Sequence, residues 1–200
     1  MSINVDFDWY RAFSEDGSAG YEHSRDKIRE VGRKTEPYRL VDDSSTKLFL
    51  TFAGLDERSP DACVNFANRW GFLKVQQFDR NRTESLSDWV DGIKSMKRSV
   101  AQLRDKERPR GSSLSGIGTS AALFLRFGDP NPSLVLRPET LLDAMRIQMA
   151  QFFTAGNELA DCAECGKAFA IGIGVRKRAD SRFCSDACRF RYHNKRRAGK

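Results

Sequence analysis

Four cysteines near the carboxyl terminus have the spacing of metal ligands. They form two pairs, Cys162-x2-Cys165 and Cys184-x3-Cys188, with eighteen residues between the pairs. Two such pairs suit a tetrahedral zinc site, because each supplies two thiolates without a long loop closure. Four protein thiolates also close the coordination shell, so we expect one structural Zn²⁺ rather than a catalytic ion.

The same residues allow other chemistry. Cys162-Ala-Glu-Cys165 has the spacing of a redox pair, but no strand–helix unit of the thioredoxin kind precedes it and a second pair lies nearby. His193 follows Cys188 by five residues and could replace one cysteine, although on a helix it points about 180° from Cys184. An iron–sulfur cluster and a disulfide framework also stay open as alternatives.

We expect a cytoplasmic protein. The first residues, 1–6, lack the basic start and apolar core of a signal peptide, and the longest apolar runs are too short to span a bilayer. In a reducing compartment, closely spaced cysteines bind metals more often than they form disulfides. The fifth cysteine, Cys63, is interpreted as a buried helix residue.

Positive charge is concentrated around the cysteine pairs. Residues 162–200 carry eleven Lys or Arg and three Asp or Glu, a net charge of +8, whereas residues 1–161 hold the remaining 23 and 24. Zinc bound by four thiolates would lower that +8 to about +6. This asymmetry indicates a polyanionic partner for the C-terminal part. The residues that we expect to contact nucleic acid are Arg176, Lys177, Arg178, Arg182, Arg189, Arg191, His193, Lys195, Arg196 and Arg197.

Helical projection divides the basic residues of the final segment. Arg191 and Lys195 project within about 20° of Cys184, so they could instead neutralise the thiolates. The others project to the opposite side, where they could contact phosphates, which give affinity with little sequence information. A solvated helix end and contact with an acidic protein surface are the alternatives.

The second cysteine pair is predicted to open a helix. Residues 182–184 are typical of a strand end, and Ser185 and Asp186 suit a helix start. Cys184 and Cys188 would then lie on one face of the first turn. A knuckle, an intervening hairpin and a ligand-bearing helix describe a treble-clef type of zinc finger, which we assign to residues 158–200.

Residues 1–157 are predicted to form a mainly helical domain. Helices are expected from Thr46, from Ser59-Pro60 to Gly71, from Ser87, and from Pro138. The segments AALFLRF and SLVLR predict a β-hairpin, and residues 1–45 give weak signals. The predicted fold class is therefore mainly α with a short β-hairpin (α+β).

No catalytic constellation is evident in the sequence. Only His23 and His193 supply imidazoles, and neither belongs to a His–carboxylate arrangement. The Gly116-Ile-Gly118 loop lacks the strand, helix and lysine of a phosphate-binding loop. We expect the protein not to be an enzyme, with a nuclease or toxin-like hydrolase as the alternative.

The order of these features resembles bacterial proteins that join a helical ABATE-type domain to a C-terminal CGNR zinc finger, which are regarded as stress-induced transcription regulators. FANRWGFL (66–73) and the hairpin–Pro138–helix run are similar to the helical domain. The four cysteines, RFCSDAC and the basic tail are similar to the finger. The CGNR motif is degenerate here, because only Cys188 and Arg191 of Cys188-Arg-Phe-Arg191 match it. The resemblance implies that the cysteines are ligands and that the last helix contacts DNA.

Together these features predict a DNA-binding protein that regulates transcription. Its helical domain would sense a ligand or form a homodimer, and its finger would dock on DNA. An RNA-binding or ribosome-associated module and a protein-interaction zinc module are the alternatives.

Overall fold

The computed structural model describes residues 4–5, 7–17, 20–39, 47–74, 82–104, 118–126, 133–172, 175, 177 and 180–198. Within these ranges the chain forms five helices: α1 (Leu48–Ala53), α2 (Pro60–Trp70), α3 (Leu86–Arg104), α4 (Leu141–Thr154) and α5 (Asp186–Ala198). The ten strands are β1 (Asn4–Val5), β2 (Asp8–Phe13), β3 (Tyr21–Ser24), β4 (Lys27–Glu30), β5 (Lys34–Arg39), β6 (Thr83–Ser85), β7 (Ala121–Arg126), β8 (Ser133–Pro138), β9 (Glu158–Asp161) and β10 (Ala168–Ile171).

The expectation of a mainly α fold is wrong. The described strands form four small sheets, in the orders β1-β8-β7, β2-β5, β3-β4-β6 and β10-β9, so the fold is mixed α/β. All neighbours in these sheets are antiparallel except the β1–β8 pair. Half of the described strands lie in residues 1–45, the part of the chain with weak sequence signals.

Strands β2 and β4 lack a clear alternating pattern because each buries few side chains. Only Trp9 and Ala12 are buried on β2, and only Ile28 on β4. Several partners are also distant in sequence, as in the pairing of β4 with β6. Local periodicity cannot reveal a strand whose position is fixed by such pairing.

The predicted helices in residues 1–157 are present, with some shifted boundaries. Ser59 caps α2 as expected, because its Oγ accepts a hydrogen bond from the Ala62 amide at 3.2 Å. The fourth helix begins at Leu141 rather than Pro138, because Pro138 ends β8 and Thr140 provides the N-cap. The first helix begins at Leu48, with Lys47 as its N-cap residue, whereas its predicted start, Thr46, lies outside the described ranges.

Helix α4 contributes more buried residues to the core than any other described helix. It packs against α1 and α3, and an aromatic cluster of Phe52, Phe66 and Trp89 lies beside them, with ring centroids 5.1–6.2 Å apart. The predicted hairpin is the β7–β8 pair, whose edge strand β7 leaves Leu123 and Leu125 exposed. The buried residues of α4 are Leu141, Leu142, Asp143, Ala144, Met145, Ile147, Met149 and Phe152.

The β9–β10 hairpin joins this core to the cysteine pairs. Leu159 and Ala170, paired across the two strands, pack against the main core. Phe169 and Ile171 alternate with Ala170 and therefore pack with the cysteines in a second, smaller core. An ion pair between Arg104 at the end of α3 and Asp161 at the end of β9 adds a polar contact. The division between residues 157 and 158 stays a prediction.

Candidate metal centre

The four cysteines that were predicted as ligands lie together. The sulfur atoms of Cys162, Cys165, Cys184 and Cys188 are all within 4.8 Å of one another. The Sγ–Sγ distance is 3.7 Å between Cys165 and Cys184 and 3.6 Å between Cys184 and Cys188. A tetrahedral site with Zn–S bonds of about 2.3 Å places its sulfurs about 3.8 Å apart, whereas disulfide-bonded sulfurs are about 2.05 Å apart. The cluster can therefore bind a metal ion, and its donor set is compatible with a zinc finger.

A tight turn between β9 and β10 carries the first pair. The Cys162 amide donates to the Lys167 carbonyl at 3.0 Å, and the Gly166 amide donates to the Cys162 carbonyl at 2.8 Å. Gly166 has a φ of +69°, a conformation that favours glycine because it has no Cβ. The turn thus forms the predicted knuckle. The structure places a hairpin around this first pair, whereas the predicted hairpin lay between the two pairs.

The start of α5 carries the second pair. Ser185 precedes the helix, and its Oγ accepts a hydrogen bond from the Cys188 amide at 3.2 Å, as an N-cap does. Cys184 therefore lies just before the helix and Cys188 lies in its first turn. The predicted helix start is confirmed, but residues 182–184 are not a strand. A hydrogen bond of 2.9 Å from the Ala163 amide to the Arg182 carbonyl joins the two halves of the site.

The surroundings of the cluster lower the pKa of two of its thiols and raise the pKa of a third. Burial opposes ionisation of Cys162, but hydrogen bonds from the backbone amides of Cys184, Cys165 and Glu164 outweigh it and lower its pKa to about 6. Hydrogen bonding to the Ser185 hydroxyl and then to Arg191 lowers the pKa of Cys188. Burial and the neighbouring thiols raise the pKa of Cys184 to about 12. A bound cation would displace the remaining protons, since metals coordinate thiolates.

Two basic residues of α5 lie on the metal side of the helix. Arg191 Nη2 donates to Cys188 Sγ at 3.2 Å. Lys195 Nζ lies 2.6 Å from Glu164 Oε1, and Glu164 lies between the first two cysteines. Arg191 therefore contacts the cluster, as the alternative interpretation expected, whereas Lys195 contacts Glu164 and stays exposed. The role of Glu164 was not predicted, because 31 residues separate it from Lys195 and no local pattern links them.

The remaining predicted contact residues occupy other parts of the surface. Arg189, His193, Arg196 and Arg197 are exposed on α5, and Arg182 is exposed just before Cys184. His193 does not belong to the sulfur cluster; its ring lies 5.9 Å from Phe183 and 5.6 Å from Tyr192, between centroids. Lys177 is half-buried, and Arg176 and Arg178 lie outside the described residues.

Three of the exposed arginine side chains lie beside aromatic rings. The Arg182 and Arg196 guanidinium groups each lie 5.9 Å from the Tyr192 ring centroid, and the Arg189 guanidinium lies 5.5 Å from that of Phe190. These distances are within the range of cation–π attraction. The sequence had shown both aromatics in the basic segment, but not which cation contacts which ring.

Comparison with known proteins provides no match. The chain matches no family model, no curated protein and no solved structure. The resemblance to ABATE-type and CGNR zinc finger proteins therefore stays a prediction that depends on the quoted motifs. Among the described helices, none has both the length and the apolar character needed to cross a bilayer.

Proposed function

We propose that the C-terminal segment, residues 158–200, is a zinc-stabilised module that binds nucleic acid, with DNA as its partner and transcription regulation as its role. The observation that carries the proposal is the division of α5 into two faces. One face contacts the four-cysteine cluster, and the other presents exposed cations.

The metal side of α5 supports a structural role for the ion. Cys188 is buried against Phe169 and Ile171 in the smaller core, and Arg191 and Lys195 have anionic partners there. A metal at this position fixes the first turn of α5 relative to the β9–β10 hairpin. The binding free energy of a structural metal contributes directly to the folding of a small module.

The outer side of α5 supports contact with phosphates. Among the described residues Arg197 has no ion pair, and the ion pair of Arg189 is an exposed contact of 3.4 Å with Asp186. Exposed pairs of this kind contribute little to stability, so both side chains can turn to a phosphate. Together with His193 and Arg196, they form a cationic strip along the helix, which we call the outer basic face.

A salt titration tests this function on the full-length, zinc-loaded chain. Binding of a short fluorescent DNA duplex should weaken linearly on a log–log plot as salt rises, with a slope of about −0.9 for each phosphate contact. The double variant Arg189→Gln/Arg197→Gln should reduce the magnitude of that slope by about 2. A structured RNA of related sequence serves as a competitor, and its stronger binding would favour the RNA-binding alternative.

A matched variant controls for net charge. Lys27→Gln/Arg33→Gln removes the same two charges from exposed positions in and after β4, far along the chain from the finger. This variant should bind as the wild type does if the outer basic face is the binding surface. Equal loss of binding in the two double variants, or a wild-type slope near zero, would contradict the proposal.

A further inference from the structure

One large apolar side chain lies exposed on the outer basic face. Phe190 is 60% exposed, and no large hydrophobic side chain in the described part of the chain is more exposed. Single exposed hydrophobic residues are common on protein surfaces, so exposure alone indicates nothing. The position of this ring among cations is what requires a physical account.

Cations lie on successive turns around Phe190. Arg189 precedes it, with the guanidinium 5.5 Å from the ring centroid. On the helical projection, Arg197 follows Phe190 by seven residues and lies about 20° from it. His193 falls between these two residues in sequence and lies about 60° from Phe190. A flat apolar surface is therefore bordered by groups that attract phosphate.

We infer that Phe190 stacks on an unpaired nucleobase while Arg189 and Arg197 contact the adjoining phosphates. The inference rests on the proposed function and specifies its partner: a strand with unpaired bases, as in melted DNA or an RNA loop. A base within a duplex has both faces covered by its neighbours, so an aromatic ring can reach a base face there only by unstacking a base step, which costs free energy. An unpaired base offers its face, and stacking on aromatic side chains with cations along the backbone is how many proteins bind single strands.

The rigidity of α5 favours such stacking. Ser185 caps the helix, and Cys188, two residues before Phe190, packs in the smaller core with the other cysteines. The backbone that carries the ring is thus fixed where the metal site anchors the helix. A ring held in place loses less conformational entropy on binding than one on a loose segment.

Substitution of Phe190 in the full-length, zinc-loaded chain tests the inference. Phe190→Ala should weaken binding of an unstructured oligonucleotide roughly 5- to 150-fold, the range of one lost base–aromatic stack. Binding of a duplex should change less than about two-fold, and the salt slope should not change, because no phosphate contact is removed. The affinities for oligo(dU) and oligo(rU) are measured in parallel to distinguish unpaired DNA from unpaired RNA. The oligonucleotide that binds more tightly identifies the partner.

Two further variants separate stacking from simple apolar contact. Phe190→Leu keeps an apolar side chain without an aromatic face and should behave as Phe190→Ala does, whereas Phe190→Trp should restore or strengthen binding. Zinc content and helical circular dichroism verify that each variant is folded. Wild-type affinity in Phe190→Ala, or equal loss for single strands and duplexes, would overturn the stacking inference alone. Absence of salt-dependent binding by the wild type would overturn the proposed function as well.

Discussion

The Arg191 guanidinium donates to the Cys188 sulfur at 3.2 Å, so Arg191 contacts one of the four candidate metal ligands. The Cys188 sulfur raises the pKa of Arg191, and the guanidinium, after the Ser185 hydroxyl, lowers the pKa of Cys188. Groups that hydrogen-bond to metal ligands orient them and tune their affinity for the ion.

Replacement of Arg191 should therefore weaken metal binding. Arg191→Met keeps a side chain of similar length but removes the donor, and we expect zinc affinity to fall by about 10- to 100-fold. Competition with a chromogenic chelator measures the change. Arg189→Met, on the outer basic face, is the matched control and should retain wild-type zinc affinity. If the two variants lost zinc equally, the contact with Cys188 would have no special role.

Loss of the metal should disturb more than the finger, because the β9–β10 hairpin contacts both cores. Cys188→Ser should remove bound zinc and reduce the helical signal of α5. Leu159 and Ala170 pack on the main core, so the urea midpoint of residues 1–157 should also fall. All three tryptophans, Trp9, Trp70 and Trp89, lie in that part and report on it by fluorescence.

Wild-type protein from which a chelator has removed the zinc is the control for effects of the substitution itself. We expect both proteins to keep a native emission maximum without urea, because the main core is held by α1–α4 and the N-terminal strands. An unchanged midpoint would show that the two cores fold independently. A red-shifted emission before any urea is added would show that they fold as one unit.

The four-cysteine cluster could be predicted from sequence because the signals for it are local. Each cysteine pair spans four or five residues, and the signals for the knuckle and the helix start, Gly166 and Ser185, are adjacent to the ligands. The partner of Lys195 could not be predicted in this way. Glu164 contacts Lys195 only because the fold brings the two cysteine-bearing segments together, and that geometry depends on the whole of residues 158–198.

The same distinction explains the error in fold class. Helices α2 and α4 were predicted because their apolar periodicity and caps lie within one segment. The strand β4 shows a single buried residue, Ile28, between charged neighbours, and its pairing partners are β3 and the distant β6. Tertiary pairing stabilises such a strand, so local propensity contains little sign of it.

The cap of α2 offers a direct test of local stability. Ser59→Ala removes the hydroxyl that accepts from the Ala62 amide, and we expect a loss of about 1 kcal/mol in the free energy of unfolding. Urea denaturation followed by tryptophan fluorescence measures this loss. Ser59→Asp, which keeps an acceptor at the same position, should stay near wild type. A destabilisation by Asp as large as that by Ala would show that the loss does not come from the missing hydrogen-bond acceptor.

The buried thiol of Cys63 leads us to expect that the free energy of unfolding falls at alkaline pH. Burial in α2 raises the pKa of this thiol from 9.0 to about 11. Between these values the unfolded chain releases the proton while the folded chain retains it, so the stability due to the neutral thiol is present below pH 9 and is lost as pH rises toward 11. Urea unfolding of the wild type and of Cys63→Ala across this range isolates the contribution. The wild type should lose more stability than the variant as pH rises, and parallel pH profiles for the two proteins would contradict the assignment of a buried, neutral thiol.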